Sequence, residues 1–131
     1  MSKFAKRIRK LNKHARNLLV LGSAWGNIVE LLDSYSSIFL IDNQKRIIKS
    51  KNIIFRENFD NLSQLHDVDI ILVDLDHQNH LPELIPIFQR WSSLIIIEGP
   101  EIITEEMQKF LKSHRYQIIE IYKNHYVWKL K

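Results

Sequence analysis

The stretch DIILVDLDHQNHLPELIPIFQRWSSLIIIE, residues 69–98, consists of two short apolar runs separated by a helix-like segment. The runs at 69–73 and 94–97 are continuous rather than alternating, which is typical of strands buried on both faces of a parallel sheet. Between them, residues 82–91 carry apolar side chains at helical spacing. Pro86 lies inside this segment, and we expect it to kink the helix. The stretch therefore predicts a β-α-β unit with parallel strands.

The same alternation extends towards both ends of the sequence. Further strands are predicted at residues 17–21, 38–41 and 53–55, and further helices at 27–33 and 105–114. The link between the third and fourth strands is short, so we expect a turn or one helical turn there. Residues 116–122 and 125–130 are separated by only two residues, too few for a parallel crossover, and are predicted to form an antiparallel hairpin. The predicted fold class is α/β, with a seven-stranded, mostly parallel sheet that ends in this hairpin.

The composition excludes several classes of protein. Of 131 residues, 45% are hydrophobic and 26% are charged, an ordinary balance for one globular domain. No apolar run approaches the ~20 residues that a membrane-spanning helix needs. The absence of cysteine excludes disulfide frameworks and thiolate metal sites. We expect one cytoplasmic domain over residues 1–131, made of a basic helix at 1–16 and an α/β core at 17–131.

The positive charge is concentrated at the N-terminus. Residues 1–16 carry seven basic side chains and no acid, whereas the remaining 115 residues carry 12 basic and 15 acidic side chains. Phe4, Ile8, Leu11 and Ala15 recur at helical spacing, which predicts an amphipathic helix. Its charged side has two interpretations. It either simply faces water, or it attracts a phosphate-bearing partner such as RNA or another polyanion.

Ligands of open α/β sheets bind beyond the carboxyl ends of the strands, and here those ends carry glycine and acidic residues. The first strand is followed by Gly22-Ser23-Ala24-Trp25-Gly26, a turn that lets the backbone approach a ligand before the next helix. Asp42 follows the second strand, 20 residues after Gly22, at the separation expected of a carboxylate that binds ribose hydroxyls. Acidic residues also follow the other parallel strands: Glu57, Asp74, Asp76 and Glu98.

With this order of elements and this glycine turn, the chain resembles the class I S-adenosylmethionine-dependent methyltransferases. The resemblance covers nearly all of the sequence and implies a Rossmann-like three-layer sandwich. Gly22 to Gly26 matches the family's Gly-x-Gly-x-Gly cofactor turn, with Ala24 in place of the middle glycine. Val20 stands where the family usually has an acid. Residues 69–98 resemble the segment around the Asp-x-Asp-His turn of small O-methyltransferase-like families.

The resemblance implies S-adenosylmethionine as the cofactor. The residues predicted to bind it are Gly22, Ser23, Ala24, Trp25, Gly26, Asp42, Asn43, Glu57, Asn58 and Asp74. Among them, Asp42 matches the family's ribose-binding acid, and Glu57 with Asn58 falls where a side chain meets the adenine. Methyl transfer depends chiefly on positioning the acceptor in line with the methyl group, and a base matters for hydroxyl acceptors. The predicted catalytic residues are Asp74, Asp76 and His77, of which Asp76 and His77 are the candidate bases.

In metal-dependent relatives, acids that match Asp74 and Glu98 hold a divalent cation together with an amide side chain. Gly99 occupies the position of that amide here, so we predict no metal site. The leading hypothesis is a minimal methyltransferase whose acceptor is RNA or a small hydroxyl compound, with a partner subunit or a second copy completing the site. The alternative hypothesis, favoured by Val20, Ala24 and Gly99, is a catalytically degenerate Rossmann-like binding or assembly module.

Overall fold

The structure, a computed structural model, describes residues 3–22, 35–41, 53–56, 62–65, 67–74, 80–91, 93–98, 105–122 and 125–131. Three helices lie within these residues: α1 (Lys3–Leu11), α2 (Leu81–Trp91) and α3 (Glu105–Ser113). The strands are β1 (Asn17–Leu21), β2 (Ser37–Ile41), β3 (Ile53–Arg56), β4 (Ile70–Val73), β5 (Leu94–Glu98), β6 (Tyr116–Tyr122) and β7 (His125–Leu130). A 3-10 turn at Leu62–Gln64 lies in the link between β3 and β4, where the sequence predicts a turn or one helical turn. The helix predicted at 27–33 lies outside the described residues.

The seven strands form one sheet in the order β3-β2-β1-β4-β5-β7-β6. β1 pairs in parallel with β2 on one side and with β4 on the other, so that Leu21 lies opposite both Ile41 and Val73. β7 is antiparallel to both β5 and β6. The predicted mostly parallel sheet with a terminal hairpin is confirmed. Because the strand order runs outwards from β1 and β4 in opposite directions, the topological switch point lies between these two strands.

Hydrophobic side chains cover both faces of the sheet, since successive residues of each central strand point to opposite sides. On one face, which we call the α2/α3 face, Leu19, Ile71 and Ile95 pack with residues of α2 and α3. The side chains of Leu84, Ile85 and Phe88 of α2 and Leu111 of α3 are almost fully buried there. On the other face, the α1 face, the partners of Ala5 and Ile8 include Leu18, Val20, Ile70 and Leu72. The continuous apolar runs of the sequence thus correspond to strands buried on both sides.

Helix α1 ends at Leu11, five residues before the end of the predicted segment 1–16. Beyond the helix, the Asn12 side-chain carbonyl accepts a hydrogen bond from the His14 amide at 3.1 Å. The carboxylate of Asp69 accepts hydrogen bonds from the amides of Arg16 and Asn17 at 2.8 and 3.0 Å. These side-chain acceptors satisfy backbone donors in a non-helical conformation, which is why the helix stops. The sequence predicts that the fourth strand begins at Asp69, but β4 begins one residue later, at Ile70.

Helix α2 continues through Pro86, where the sequence predicts a kink. Pro86 is exposed, opposite the buried side chains of Leu84, Ile85 and Phe88. Proline lacks the amide hydrogen that would bond to the carbonyl four residues earlier, which here belongs to Pro82 in the first turn. The loss is a single hydrogen bond near the helix start, and the buried stripe on the other side holds the helix against the sheet.

Within the described residues, no helix is long and apolar enough to cross a membrane.

Candidate cofactor site at the carboxyl ends of β1 and β4

Gly22 follows β1 directly and has a backbone conformation that other residues rarely adopt. Its φ angle is +100°, in the left-handed region where a Cβ atom is strained. Its amide donates a hydrogen bond of 2.8 Å to the carbonyl of Ile41, the last residue of β2. Gly22 therefore ends β1 with a backbone conformation typical of a turn and stays hydrogen-bonded to the neighbouring strand.

Asp74 follows β4 directly and lies beside Gly22. Its amide donates a hydrogen bond of 3.2 Å to the carbonyl of Leu21, which fixes the end of β4 against the end of β1. The side chain of Asp74 is only 2% exposed, and its carboxylate lies against the Cα atom of Gly22. A Cβ atom at position 22 would overlap this carboxylate. Position 22 is thus restricted to glycine twice, by conformation and by space.

The pairing of Gly22 with Asp74 places a buried carboxylate at the switch point of the sheet. A carboxylate removed from water is costly unless it accepts hydrogen bonds or faces a cation. Among the described residues, Asp74 and Ser93 are the buried polar or charged side chains. Ser93 lies before β5 and donates its hydroxyl proton to the Val68 carbonyl, a contact within the scaffold at the opposite edge of the sheet. Among the described residues, Asp74 is therefore the buried acid at the edge of the sheet where ligands of this fold bind.

Val20 is fully buried on the α1 face, where it packs with Leu18, Leu40 and Leu72. The acid that methyltransferases usually carry at this position is replaced by a core side chain. Val20 is therefore an integral part of the hydrophobic core, and the buried acid among the described residues is Asp74 at the end of the neighbouring strand.

Of the predicted site residues, the structure places Gly22 and Asp74 and brings them into contact. The others lie outside the described residues: Ser23, Ala24, Trp25, Gly26, Asp42, Asn43, Glu57, Asn58, Asp76 and His77. In the sequence, Asp42 directly follows Ile41, whose carbonyl accepts the Gly22 amide. Among the parts of the chain that are described, no group of three or more acidic or histidine side chains is arranged to hold a metal ion.

The sequence predicts that Gly22 and Asp74 share one edge of the sheet, but it does not predict their direct contact. That contact depends on β4 being the neighbour of β1, and strand order is set by packing of the whole sheet. The Ile41 carbonyl is a second feature that the sequence does not reveal, because any residue at that position supplies the same acceptor. The sequence signals for this site are a glycine after one apolar run and an acid after another.

No protein-family model and no curated protein sequence matches the chain. Solved structures do match over nearly all of it. A methyltransferase from Geobacter sulfurreducens superimposes with a TM-score of 0.70 at 13% identity, covering 98% of this chain and 77% of that one. MycE methyltransferase of the mycinamycin biosynthetic pathway, in complex with Mg and SAH, has a TM-score of 0.69 at 15% identity.

This chain has the class I methyltransferase fold. The fold that the resemblance implies is confirmed. The match covers 98% of this chain and 44% of MycE, so the chain spans less than half the length of that relative. Precorrin 8W decarboxylase from Methanobacterium thermoautotrophicum matches as well, with a TM-score of 0.62 at 16% identity, over 97% of this chain and 88% of that one. Proteins named for different activities share this fold, so function has to be argued from the site.

Proposed function

We propose that this protein is an S-adenosylmethionine-dependent methyltransferase whose cofactor binds at the carboxyl ends of β1 and β4. The observation that carries the proposal is the buried Asp74 carboxylate against Gly22, at the switch point of a methyltransferase fold. The MycE structure, a complex with SAH (S-adenosylhomocysteine), supports the choice of cofactor.

Asp74 suits the cationic part of this cofactor. S-adenosylmethionine carries a sulfonium and an ammonium group, and a carboxylate shielded from water attracts a cation more strongly than an exposed one does. An ammonium group can donate charge-assisted hydrogen bonds to a carboxylate. Gly22, which lacks a side chain, makes room for the Asp74 carboxylate against the backbone at the end of β1.

The remaining contacts are proposed from the sequence. In this proposal Asp42 binds the ribose hydroxyls, and Glu57 with Asn58 contacts the adenine. Ser23, Ala24, Trp25, Gly26 and Asn43 complete the predicted set. The separation of 20 residues between Gly22 and Asp42 supports this assignment, as does the parallel pairing of β1 with β2, whose ends precede them.

The bound cofactor supplies an electrophilic methyl group, and the protein's part is to position the acceptor. Asp76 and His77 follow Asp74 in the sequence, and we propose them as the groups that accept a proton from a hydroxyl acceptor. Alignment of the acceptor with the methyl group supplies most of the rate enhancement. RNA and small hydroxyl compounds are the acceptor classes to test.

Calorimetric titration with S-adenosylmethionine and S-adenosylhomocysteine tests the proposal, with NAD and ATP as comparison ligands. We expect selective binding of the two sulfur compounds and at least about a tenfold loss of affinity, roughly 1.4 kcal/mol, in Asp42→Ala. Glu105→Ala, which removes an exposed acid of α3, is the matched control and should bind as the wild type does. Thermal unfolding of both variants shows whether each is folded.

Absence of binding at cofactor concentrations up to about 1 mM would contradict the proposed function. A dissociation constant of this size corresponds to a binding free energy of only about −4 kcal/mol. If the cofactor binds, transfer of a radiolabelled methyl group to total RNA and to hydroxyl compounds tests catalysis. Binding without transfer to any acceptor would favour the catalytically degenerate module over the enzyme.

A further inference from the structure

A groove with a volume of about 360 Å³ lies along α1, and its described lining consists of four cationic residues: Lys6, Arg9, Lys10 and Lys13. Lys6, Arg9 and Lys10 are spaced three and four residues apart and so lie on one side of α1, and Lys13 continues the row in the turn that follows. All four are exposed. We call these residues the α1 groove. No acidic residue contributes to α1 itself.

Among the residues that the structure describes, the packing of α1 does not neutralise the positive charge of the α1 groove. Arg7, on another side of the helix, forms an ion pair with Glu120 of β6. Within the part of the chain that the structure describes, no acidic side chain forms an ion pair with Lys6, Arg9, Lys10 or Lys13. Four like charges along about two helical turns produce a local field that attracts a partner with regularly spaced negative charges.

The apolar side of α1 excludes one kind of anionic partner. Amphipathic helices bind membranes by burying their apolar side among the lipids. In α1 that side is already used, because Ala5 and Ile8 are 0% and 2% exposed and pack against the sheet. Among the described residues of α1, the exposed side chains are the charged ones, so the partner has to be bound through charge.

We propose that the α1 groove binds the phosphodiester backbone of single-stranded nucleic acid, in a way that does not depend on base sequence. Proteins that bind single strands without sequence preference commonly use basic grooves that follow the nucleic-acid backbone. Phosphate contacts carry no sequence information by themselves. A row of four cations on one surface is matched by the regular row of phosphates on a single strand. The inference goes beyond the proposed function and does not depend on methyl transfer, since the groove belongs to α1 and the cofactor site to the ends of β1 and β4.

The number of cations predicts the salt dependence of binding. For single strands, the slope of log K against log salt concentration is about −0.7 for each phosphate neutralised. Four contacts give a slope of about −2.8, so affinity should fall about 50-fold between 50 and 200 mM salt. This slope is a property of the contacts and is measured independently of any enzymatic activity.

Fluorescence anisotropy with a labelled oligouridine of about 12 nucleotides, a length within the usual range of such sites, tests the proposal. The variant Lys6→Gln/Lys10→Gln should bind more weakly, with a slope of about −1.4. The matched control is Lys109→Gln/Lys112→Gln, which removes two exposed lysines from α3 and changes the net charge equally. It should retain the wild-type slope. Oligonucleotides of RNA and DNA with several base sequences should bind within about threefold of one another, since phosphates are common to all of them.

Three results would overturn the proposal: no RNA binding at 50 mM salt, an equal loss of binding in the control variant, or an unchanged slope in Lys6→Gln/Lys10→Gln. Polyglutamate or anionic lipid vesicles that bind as tightly as RNA would also contradict the assignment to nucleic acid. Calorimetry of Lys6→Gln/Lys10→Gln with S-adenosylmethionine separates this proposal from the proposed function, because cofactor binding should be unchanged in that variant.

Discussion

At the scale of single residues, Gly22 and Asp74 provide a test of the candidate site without any ligand. We expect Gly22→Ala to lower the free energy of unfolding by about 3 kcal/mol or more, since it combines a left-handed backbone with an overlap of Cβ and carboxylate. In an Asp74→Ala background the overlap is gone, and the same change should cost only the backbone strain of about 1 to 2 kcal/mol. Urea unfolding of the four proteins measures the coupling. Equal costs in the two backgrounds would show that Asp74 does not restrict position 22.

A second residue-scale prediction concerns Tyr116, the first residue of β6. Its side chain is 1% exposed, and burial raises the pKa of its hydroxyl from 10 to about 12. Among the described residues, this hydroxyl is one of the buried groups that have no hydrogen-bond partner. We therefore expect Tyr116→Phe to be neutral or to stabilise the protein by about 1 kcal/mol at pH 7, because it removes an unsatisfied polar atom.

The raised pKa of Tyr116 also determines a dependence on pH. The Tyr116 hydroxyl ionises near pH 10 in the unfolded state and near pH 12 in the folded state. The free energy of unfolding is therefore unaffected by this group below pH 10 and falls as pH rises from 10 to 12. That loss amounts to about 2 to 3 kcal/mol for this group. Urea unfolding from pH 9 to 12 should show a shallower decline in Tyr116→Phe than in the wild type. Parallel declines in the two proteins would contradict the assignment.

At the scale of elements, the ion pair of Arg7 and Glu120 joins α1 to the edge strand β6, 113 residues away in sequence. Both side chains are about one-third exposed, so solvent screens the attraction. We expect Glu120→Gln to cost about 0.5 to 1 kcal/mol in free energy of unfolding, and less in 1 M salt. Glu106→Gln, at an exposed position of α3, is the control and should change stability by less than about 0.5 kcal/mol. A cost above about 2 kcal/mol that does not respond to salt would contradict a screened pair.

The strands were predictable from sequence because their signal is local. A continuous apolar run such as 17–21 already specifies a buried strand, and β1 begins and ends at these positions. β6 also has its predicted bounds, 116–122, which follow from the short link to β7. The non-helical conformation at Arg16 was not predictable, because Asp69, whose carboxylate accepts the amides of Arg16 and Asn17, reaches them only after folding. An acceptor more than 50 residues away leaves no mark in the helical periodicity.

At the scale of the whole molecule, the sequence predicted the edge of the sheet that carries the candidate site but not its internal contacts. Gly22 and Asp74 both follow apolar runs, and parallel strands bring such positions to one edge of the sheet. Their contact follows from the pairing of β1 with β4, and the replacement of an acid by Val20 is explained by its burial on the α1 face. These are consequences of strand order and of core packing, which no short motif records.

Binding of the cofactor at the carboxyl ends of β1 and β4 can be tested by an NMR titration with S-adenosylhomocysteine. In ¹H-¹⁵N spectra we predict the largest shifts at the amides of Gly22 and Asp74. Little change is expected at Asn17 and Asp69, whose backbones are hydrogen-bonded at the opposite edge of the sheet. Shifts confined to the opposite edge or to the α1 groove, or no shifts at saturating ligand, would contradict the account.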